Sequence, residues 1–270
     1  MTIATAGIII LVFYLYSNQS TNPKEIADYK IYYGAPSPRI IKEMQSLDMV
    51  ILEAHHYTAS QIESIKSNGT LVLSYLNVLE IDNWNASVRD KIKDTDYFYR
   101  NGEKVYYPKW DSYLADITSP HYQSLLKEEM KTDIHIGSVD GVFLDTVGDI
   151  DNEHSTDPVI LKEQQKGVTD LIMYIKETYP GLLVAQNWGF DTLKNYTAPY
   201  IDFIMWESFQ SDMVASNQWA SQQIKILQDL RKNYDFQVLT VSFKNKVQSE
   251  NLAAENGFIH LHTNKDYLKW

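Results

Sequence analysis

Eight short apolar runs, at residues 30–33, 49–53, 71–76, 141–145, 182–186, 203–207, 237–242 and 258–262, recur from Asp28 to the C-terminus. Several are apolar on both faces, as in 203–206, where Phe203, Ile204, Met205 and Trp206 follow one another. That is the signature of parallel strands covered on both sides, because a sheet with one wet face alternates apolar and polar residues. Helical spacing fills the intervals at 38–45, 60–67, 122–132, 161–178, 191–195, 218–232 and 248–256. Stop and start signals punctuate them, such as Ser37-Pro38 before Arg39, Ser67-Asn68-Gly69 and Pro180-Gly181. Eight alternating units in about 240 residues predict an α/β fold, a (β/α)8 TIM barrel. A doubly wound open sheet is the runner-up, but no Gly-x-Gly-x-x-Gly follows the first strand. At 270 residues and 44% hydrophobic, the chain can bury one barrel-sized core.

The N-terminus does not fit that repeat. Residues 1–16 are almost wholly apolar, with Ile8 to Phe13 unbroken, and a polar run begins at Ser17. The segment is short for a membrane span of about 20 residues and resembles the apolar region of an export signal. The expected organisation is therefore residues 1–16 as signal peptide or membrane anchor, 17–28 as a linker and 29–270 as the barrel. Membrane association would run through residues 1–16, and the barrel is expected outside the cell, secreted or anchored.

A second departure is the interval 77–119, which holds Trp84, Tyr97, Phe98, Tyr99, Tyr106, Tyr107, Trp110 and Tyr113. Long excursions from compact domains tend to be functional. It is expected to wall a cleft, with Trp110 among the binding residues. The net charge of −11 argues against a nucleic-acid partner and suits a cationic or neutral one. Cysteine is absent, so thiolate chemistry is excluded.

Two of the predicted strands end in an acid, the fourth in Asp145 and the sixth in Glu207. In a parallel barrel the C-terminal strand ends carry the site. Two carboxyl groups facing each other there meet the requirement of glycosidic cleavage, one protonating the leaving oxygen and the other acting as nucleophile or as base for water. Spacing leaves retention and inversion both open. Tyr33, Glu53, Tyr75, Asn77, Asn187, Trp188, Trp206, Ser208 and Ser242 lie at or just past strand tips, where they are expected to bind sugar hydroxyls or an ammonium group.

In chain order, Tyr32-Tyr33-Gly34, Ser74-Tyr75-Leu76-Asn77, Trp110 with Asp116-Ile117, Asp140 to Asp145, Gln186-Asn187-Trp188 and Trp206-Glu207-Ser208 resemble glycoside hydrolase family 114. Spherulin-4-like proteins and the hydrolase domain of Pel-polysaccharide biosynthesis proteins are relatives in that family. The resemblance spans about residues 29–265 and implies a (β/α)8 endo-α-1,4-polygalactosaminidase that needs no cofactor. Its catalytic aspartate and glutamate fall on Asp145 and Glu207. The implied partner is an amino-sugar-rich polysaccharide.

Two other readings compete. One is a carbohydrate-binding barrel without turnover, which would bind sugar and release no reducing ends. The other is a metal-dependent polysaccharide hydrolase or deacetylase, using the His260-x-His262 pair or the acids Asp149, Asp151 and Glu153. No metal ligand is assigned, because that acidic run lacks the glycine of a calcium loop. His55 and His56, being adjacent, are expected to point opposite ways from a strand. The absence of Gly-x-Ser-x-Gly removes support for a serine nucleophile.

Overall fold

The computed structural model describes residues 26–264 and 266–270. The segment expected as a signal or anchor and most of the expected linker lie outside the described residues. At the end of that linker, Ile26 is already buried in the barrel, and Ala27 N donates to Asp48 Oδ2 at 2.8 Å. Among the described residues no helix is long and apolar enough to cross a membrane.

Eight parallel strands form one sheet in chain order: β1 (Tyr29–Tyr32), β2 (Met49–Leu52), β3 (Leu71–Asn77), β4 (Gly141–Asp145), β5 (Leu183–Asn187), β6 (Phe203–Trp206), β7 (Gln237–Ser242) and β8 (Ile259–His262). β1 stands beside β8, so the sheet curls into the expected (β/α)8 barrel. The covering helices are α1 (Pro38–Met44), α2 (Ala59–Lys66), α3 (Pro120–Gly137), α4 (Gly148–His154), α5 (Pro158–Thr178), α6 (Ser211–Ser216), α7 (Gln218–Leu230) and α8 (Lys246–Glu255). Their starts are written locally. Ser37 caps Ile40 N ahead of Pro38, Thr58 and Gln61 form a capping box, and Asp157 accepts from Val159 N and Ile160 N.

Strand alternation sorts the side chains. Ile31, Ile51, Leu73, Phe143, Ala185, Phe203, Met205 and Val241 fill the barrel interior. Val142, Leu144, Val184, Ile204 and Trp206 face the helices. Burying each such side chain contributes about 1.5–3 kcal/mol, so this two-sided pattern fixes strand register. The acids that bound β4 then separate in role. Asp140, at its N-terminal end, accepts from Val72 N at 2.9 Å and pairs with Lys66 at 2.8 Å. Asp202 does the same before β6, accepting from Val184 N and Lys176 Nζ at 2.7 and 2.6 Å. These carboxylates stitch the closed end, whereas Asp145 stands at the open one.

The long excursion leaves β3 and folds on the rim. Glu80–Asp82, Ser112–Leu114 and Tyr106–Tyr107 make a small antiparallel sheet, and Tyr99–Arg100 pairs with Glu103–Lys104. The buried Asp96 anchors its base, accepting from Ser119 Oγ and His121 Nδ1, each at 2.7 Å.

Candidate active site

Residues two beyond an inward-facing position point inward again. Phe143 thus places Asp145 in the mouth, Ala185 places Asn187, Met205 places Glu207, Ile31 places Tyr33 and Leu73 places Tyr75. Just past each of three of these tips the backbone turns into the left-handed region at a non-glycine residue: Thr146 at φ 64°, Trp188 at φ 56° and Ser208 at φ 59°. Such turns cost about 1–3 kcal/mol each and cluster where geometry serves function. Here they break the strand directly after Asp145, Asn187 and Glu207.

One amide ties the acids together. Asn187 Nδ2 donates to Asp145 Oδ1 at 2.7 Å and lies 3.5 Å from Glu207 Oε2. The two carboxylate oxygens are therefore separated by at most the sum of those distances, 6.2 Å. Asp145 also accepts from Thr146 N at 2.8 Å and from the Tyr75 hydroxyl. Glu207 Oε1 accepts from the Tyr267 hydroxyl. Burial, and next the Asp145 charge, push the Glu207 carboxyl above its ordinary range, while the Tyr267 and Asn187 hydrogen bonds pull the other way. The Asn187 Oδ1 atom is buried and accepts nothing from the protein.

Further carboxylates surround the pair. Burial pushes Asp149 up to about 8, with the Glu80, Asp145 and Glu153 charges adding to it. One Asp149 oxygen is buried without a protein donor, and the Asp149 and Glu80 carboxyls are within hydrogen-bonding reach, so a proton shared between the two would relieve their repulsion. Burial pushes Asp82 up to about 6 against the hydrogen bond from Asn77. Among the described residues no lysine or arginine pairs with Glu80, Asp82, Asp145, Asp149 or Glu207.

The remaining expected residues divide. Tyr33 packs on Tyr75 and Tyr267 at 4.7 and 5.5 Å between ring centroids and belongs to the mouth. Asn77 braces the site, its Oδ1 accepting from Thr146 Oγ1 at 2.8 Å and Glu80 N at 3.0 Å and its Nδ2 reaching Asp82 at 3.0 Å. Trp188 follows Asn187 directly and is out of phase with it, so its ring turns to the helix side, 5.4 Å from Phe190 and 6.2 Å from Trp206. Trp110 is on the outer edge of the excursion, 58% exposed, with Lys109 Nζ 4.1 Å from its ring centroid.

Trp206 and Ser242 do not face the mouth, because both are out of phase with the interior positions. Trp206 is 2% exposed, packed edge to face on Phe190 and Phe209. Ser242 is fully buried, its Oγ 2.8 Å from His260 Nε2 and 2.9 Å from His262 Nδ1. Burial lowers His260 to about 4, and Thr240 takes its other nitrogen at 2.8 Å. Both ring nitrogens of His260 are therefore engaged within the fold.

The acids weighed for a hard cation also disperse. Asp151 is held by Thr192 Oγ1 at 2.7 Å, Glu153 by Arg100 at 2.9 Å, and Asp149 turns to Glu80. His55 and His56 depart from expectation. They lie on the 3-10 turn Ala54–His56 rather than a strand, and both Nε2 atoms reach Glu53 Oε2, at 3.3 and 2.8 Å. Those three side chains are the one group among the described residues with metal-ligand proximity.

Sequence reasoning missed Tyr267, which lies beyond the last strand and carries no spacing signal, and it missed Glu80 and Asp82 inside the excursion. Only the aromatic density of the excursion pointed to that stretch.

These buried acids carry a stability prediction. Burial raises Glu129 to about 7, alongside Asp82 at about 6 and Asp149 at about 8. Each folded value exceeds the unfolded one, so the folded state holds more protons. The contribution is fully present below the unfolded values near pH 4 and is lost as pH rises through about 6 to 8. The melting temperature is expected to fall between pH 5.5 and 8.5, and Asp149→Asn should flatten that slope. A melting temperature that rises over this window would contradict the assignment.

A (β/α)8 barrel that turns paired carboxylates into its open mouth is the frame of a glycoside hydrolase. The chain belongs to glycoside-hydrolase family GH114, whose sequence profile matches residues 15–257. Among solved structures, the glycoside hydrolase domain of PelA from Pseudomonas aeruginosa is 19% identical, with TM-score 0.69 over 91% of this chain and 97% of that one. Ega3 of Aspergillus fumigatus, solved in complex with galactosamine, is 13% identical, with TM-score 0.68 over 90% and 93%. The glycoside hydrolase domain of PgaB (BpsB) from Bordetella bronchiseptica is 12% identical, with TM-score 0.58 over 90% and 95%. At these identities the likeness is one of fold. No curated protein sequence matches the chain.

Proposed function

We propose that this hydrolase cuts α-1,4-linked, galactosamine-rich polysaccharide internally and with retention of configuration, using Asp145 as nucleophile and Glu207 as acid and base. The observation that carries the reading is the Asn187 bridge, which keeps two acids within 6.2 Å beside carboxylates that no lysine or arginine among the described residues neutralises. Retaining pairs stand about 5–5.5 Å apart and inverting pairs about 6.5–9.5 Å, so the bound on the separation favours retention.

In the first step a carboxylate oxygen of Asp145 attacks the anomeric carbon. The proton on Glu207, whose raised pKa suits an acid, passes to the leaving oxygen. In the second step Glu207 takes a proton from water, and the resulting hydroxide displaces Asp145 from the anomeric carbon. Asn187 Oδ1, buried and without a protein donor, suits a donor on the adjacent sugar carbon, such as the ammonium of galactosamine. The surplus of carboxylates at the mouth favours a cationic chain over a neutral one. The galactosamine bound to Ega3 supports the same substrate class. Such a polymer is met outside the cell, in keeping with an exported chain whose apolar residues 1–16 act as signal or anchor.

The test is a digest of de-N-acetylated α-1,4-polygalactosamine. Oligosaccharides with new reducing ends are expected by mass spectrometry, and the first-formed anomer is expected to be α by NMR. An intact polymer, or a β anomer formed first, would refute the reading.

A further inference from the structure

A cavity of about 370 Å³ opens on the far side of Trp188, between α4 and α7, and the catalytic pair has no part in it. We propose that it is a second binding site for one amino-sugar unit of the polymer; in its choice of sugar this rests on the substrate reading above.

The cavity is built around aromatic surface. Trp188 and Trp219 line it with their rings stacked at 6.2 Å and 19°, and Trp219 is 43% exposed. Gly148 lets α4 approach this wall, since a Cβ there would stand 2.6 Å from Trp188 Cβ. Trp219 is fixed in the first turn of α7, its backbone N–H donating to Asn217 Oδ1 at 2.9 Å. Four residues on, and so on the same helix face, Gln223 also lines the cavity. It is 6% exposed, and its Oε1 accepts no hydrogen bond from the protein. A buried acceptor without a donor is costly, and it suits a ligand that brings one.

Charge selects the kind of ligand. Asp151 is spent on Thr192, Gln165 and Asp191 N, whereas the exposed Asp191 carboxylate has no ion pair among the described residues. An anionic sugar would meet repulsion here. A pyranose carrying an ammonium can lay its C–H face on Trp219, give a hydroxyl hydrogen to Gln223 and set its charge by Asp191. Trp188 directly follows Asn187, so the cavity and the acid pair lie on two sides of one backbone turn. A chain leaving the mouth over Trp188 reaches the second site, which would then tighten the hold on long polymers without touching the chemistry.

The test uses Trp219→Phe, Trp219→Ala and Gln223→Leu in the full chain. In the unaltered protein, free galactosamine is expected to shift the Trp219 indole N–H resonance, identified by its loss in Trp219→Phe, and to do so more than galactose. Gln223→Leu should abolish that shift, with a thermal melt confirming its fold. In kinetics, Trp219→Ala is expected to raise KM for long polygalactosamine about tenfold while leaving kcat, and the hydrolysis of a galactosamine trimer, unchanged. An indole resonance unmoved by galactosamine overturns the site, and an equal shift with galactose overturns its selectivity for the amine. If galactosamine shifts Trp219 but no galactosamine polymer is cleaved, the site stands and the substrate reading falls. If the polymer is cleaved with an unaltered KM in Trp219→Ala, the substrate reading stands and the second site falls.

Discussion

Asp145→Asn and Glu207→Gln are each expected to lower kcat on polygalactosamine by about four to six orders of magnitude, the scale seen when a covalent or proton-transfer partner is removed. Neither change should unfold the barrel. The carboxyls lie within 6.2 Å of each other, and among the described residues no lysine or arginine pairs with either, so replacing one relieves repulsion, and the melting temperature should hold or rise. The roles separate with azide and a substrate bearing an activated leaving group. In Asp145→Ala, azide takes the place of the missing nucleophile and attacks directly, giving the β-azide from an α-linked sugar. In Glu207→Ala the glycosyl-enzyme still forms, and azide then displaces Asp145 to give the α-azide. An exchange of these two products would reverse the roles, and near-normal activity in both asparagine and glutamine variants would sink the assignment. The pH profile supplies a second check. Glu207 must be protonated to act as acid, so activity falls as pH rises through its raised pKa, and Glu207→Gln should lose that limb.

Much of this was legible because the strands are apolar on both faces, which marks them regardless of what surrounds them. All eight predicted runs are strands of the barrel, and Asp145 and Glu207 meet at its mouth as their positions at strand ends required. The same two-sidedness hid which way individual residues point. In Phe203–Trp206 nothing local distinguishes the inward Met205 from the outward Trp206, so Trp206 and Ser242 were expected at the rim; Trp206 instead lies among the helices, and Ser242 is buried against His260 and His262 of β8. Alternation could have found this, since both are one residue out of phase with Glu207 or Val241, but it needs one residue of known facing to begin. Other parts depend on chain folding back from a distance. Tyr267 reaches Glu207 across 60 positions, Thr146 ties to Asn77 across 69, and no periodicity foretells either contact. The helix α4 was missed for a different reason. Its run from Gly148 to His154 has little apolar periodicity, and it is held by contacts to α5 and to the turn after β5.

Asn187 shows what that hidden geometry is worth, because its replacement is expected to be the most damaging change outside the two acids. In Asn187→Leu, the branching at Cγ is kept while the donor between Asp145 and Glu207 is lost, together with the acceptor that faces the substrate. Two unit charges about 6 Å apart repel by about 3 kcal/mol at an effective dielectric near 20, and the amide no longer offsets it. Glu207 then keeps its proton to higher pH, since the hydrogen bond that had lowered its pKa is gone. Turnover should fall about 10²- to 10³-fold, the usual effect of removing one preorganised polar contact at a reacting centre. The alkaline limb of the pH–rate profile should move upward at the same time, a shift that a purely structural lesion would not produce. Asn187→Asp sharpens the contrast by placing a third carboxylate between the pair. It should be nearly inactive at neutral pH and regain part of its rate on acidification, as the added charge is neutralised. A loss of activity in Asn187→Leu with an unmoved alkaline limb would mean that the amide holds the sugar but does not tune the acid.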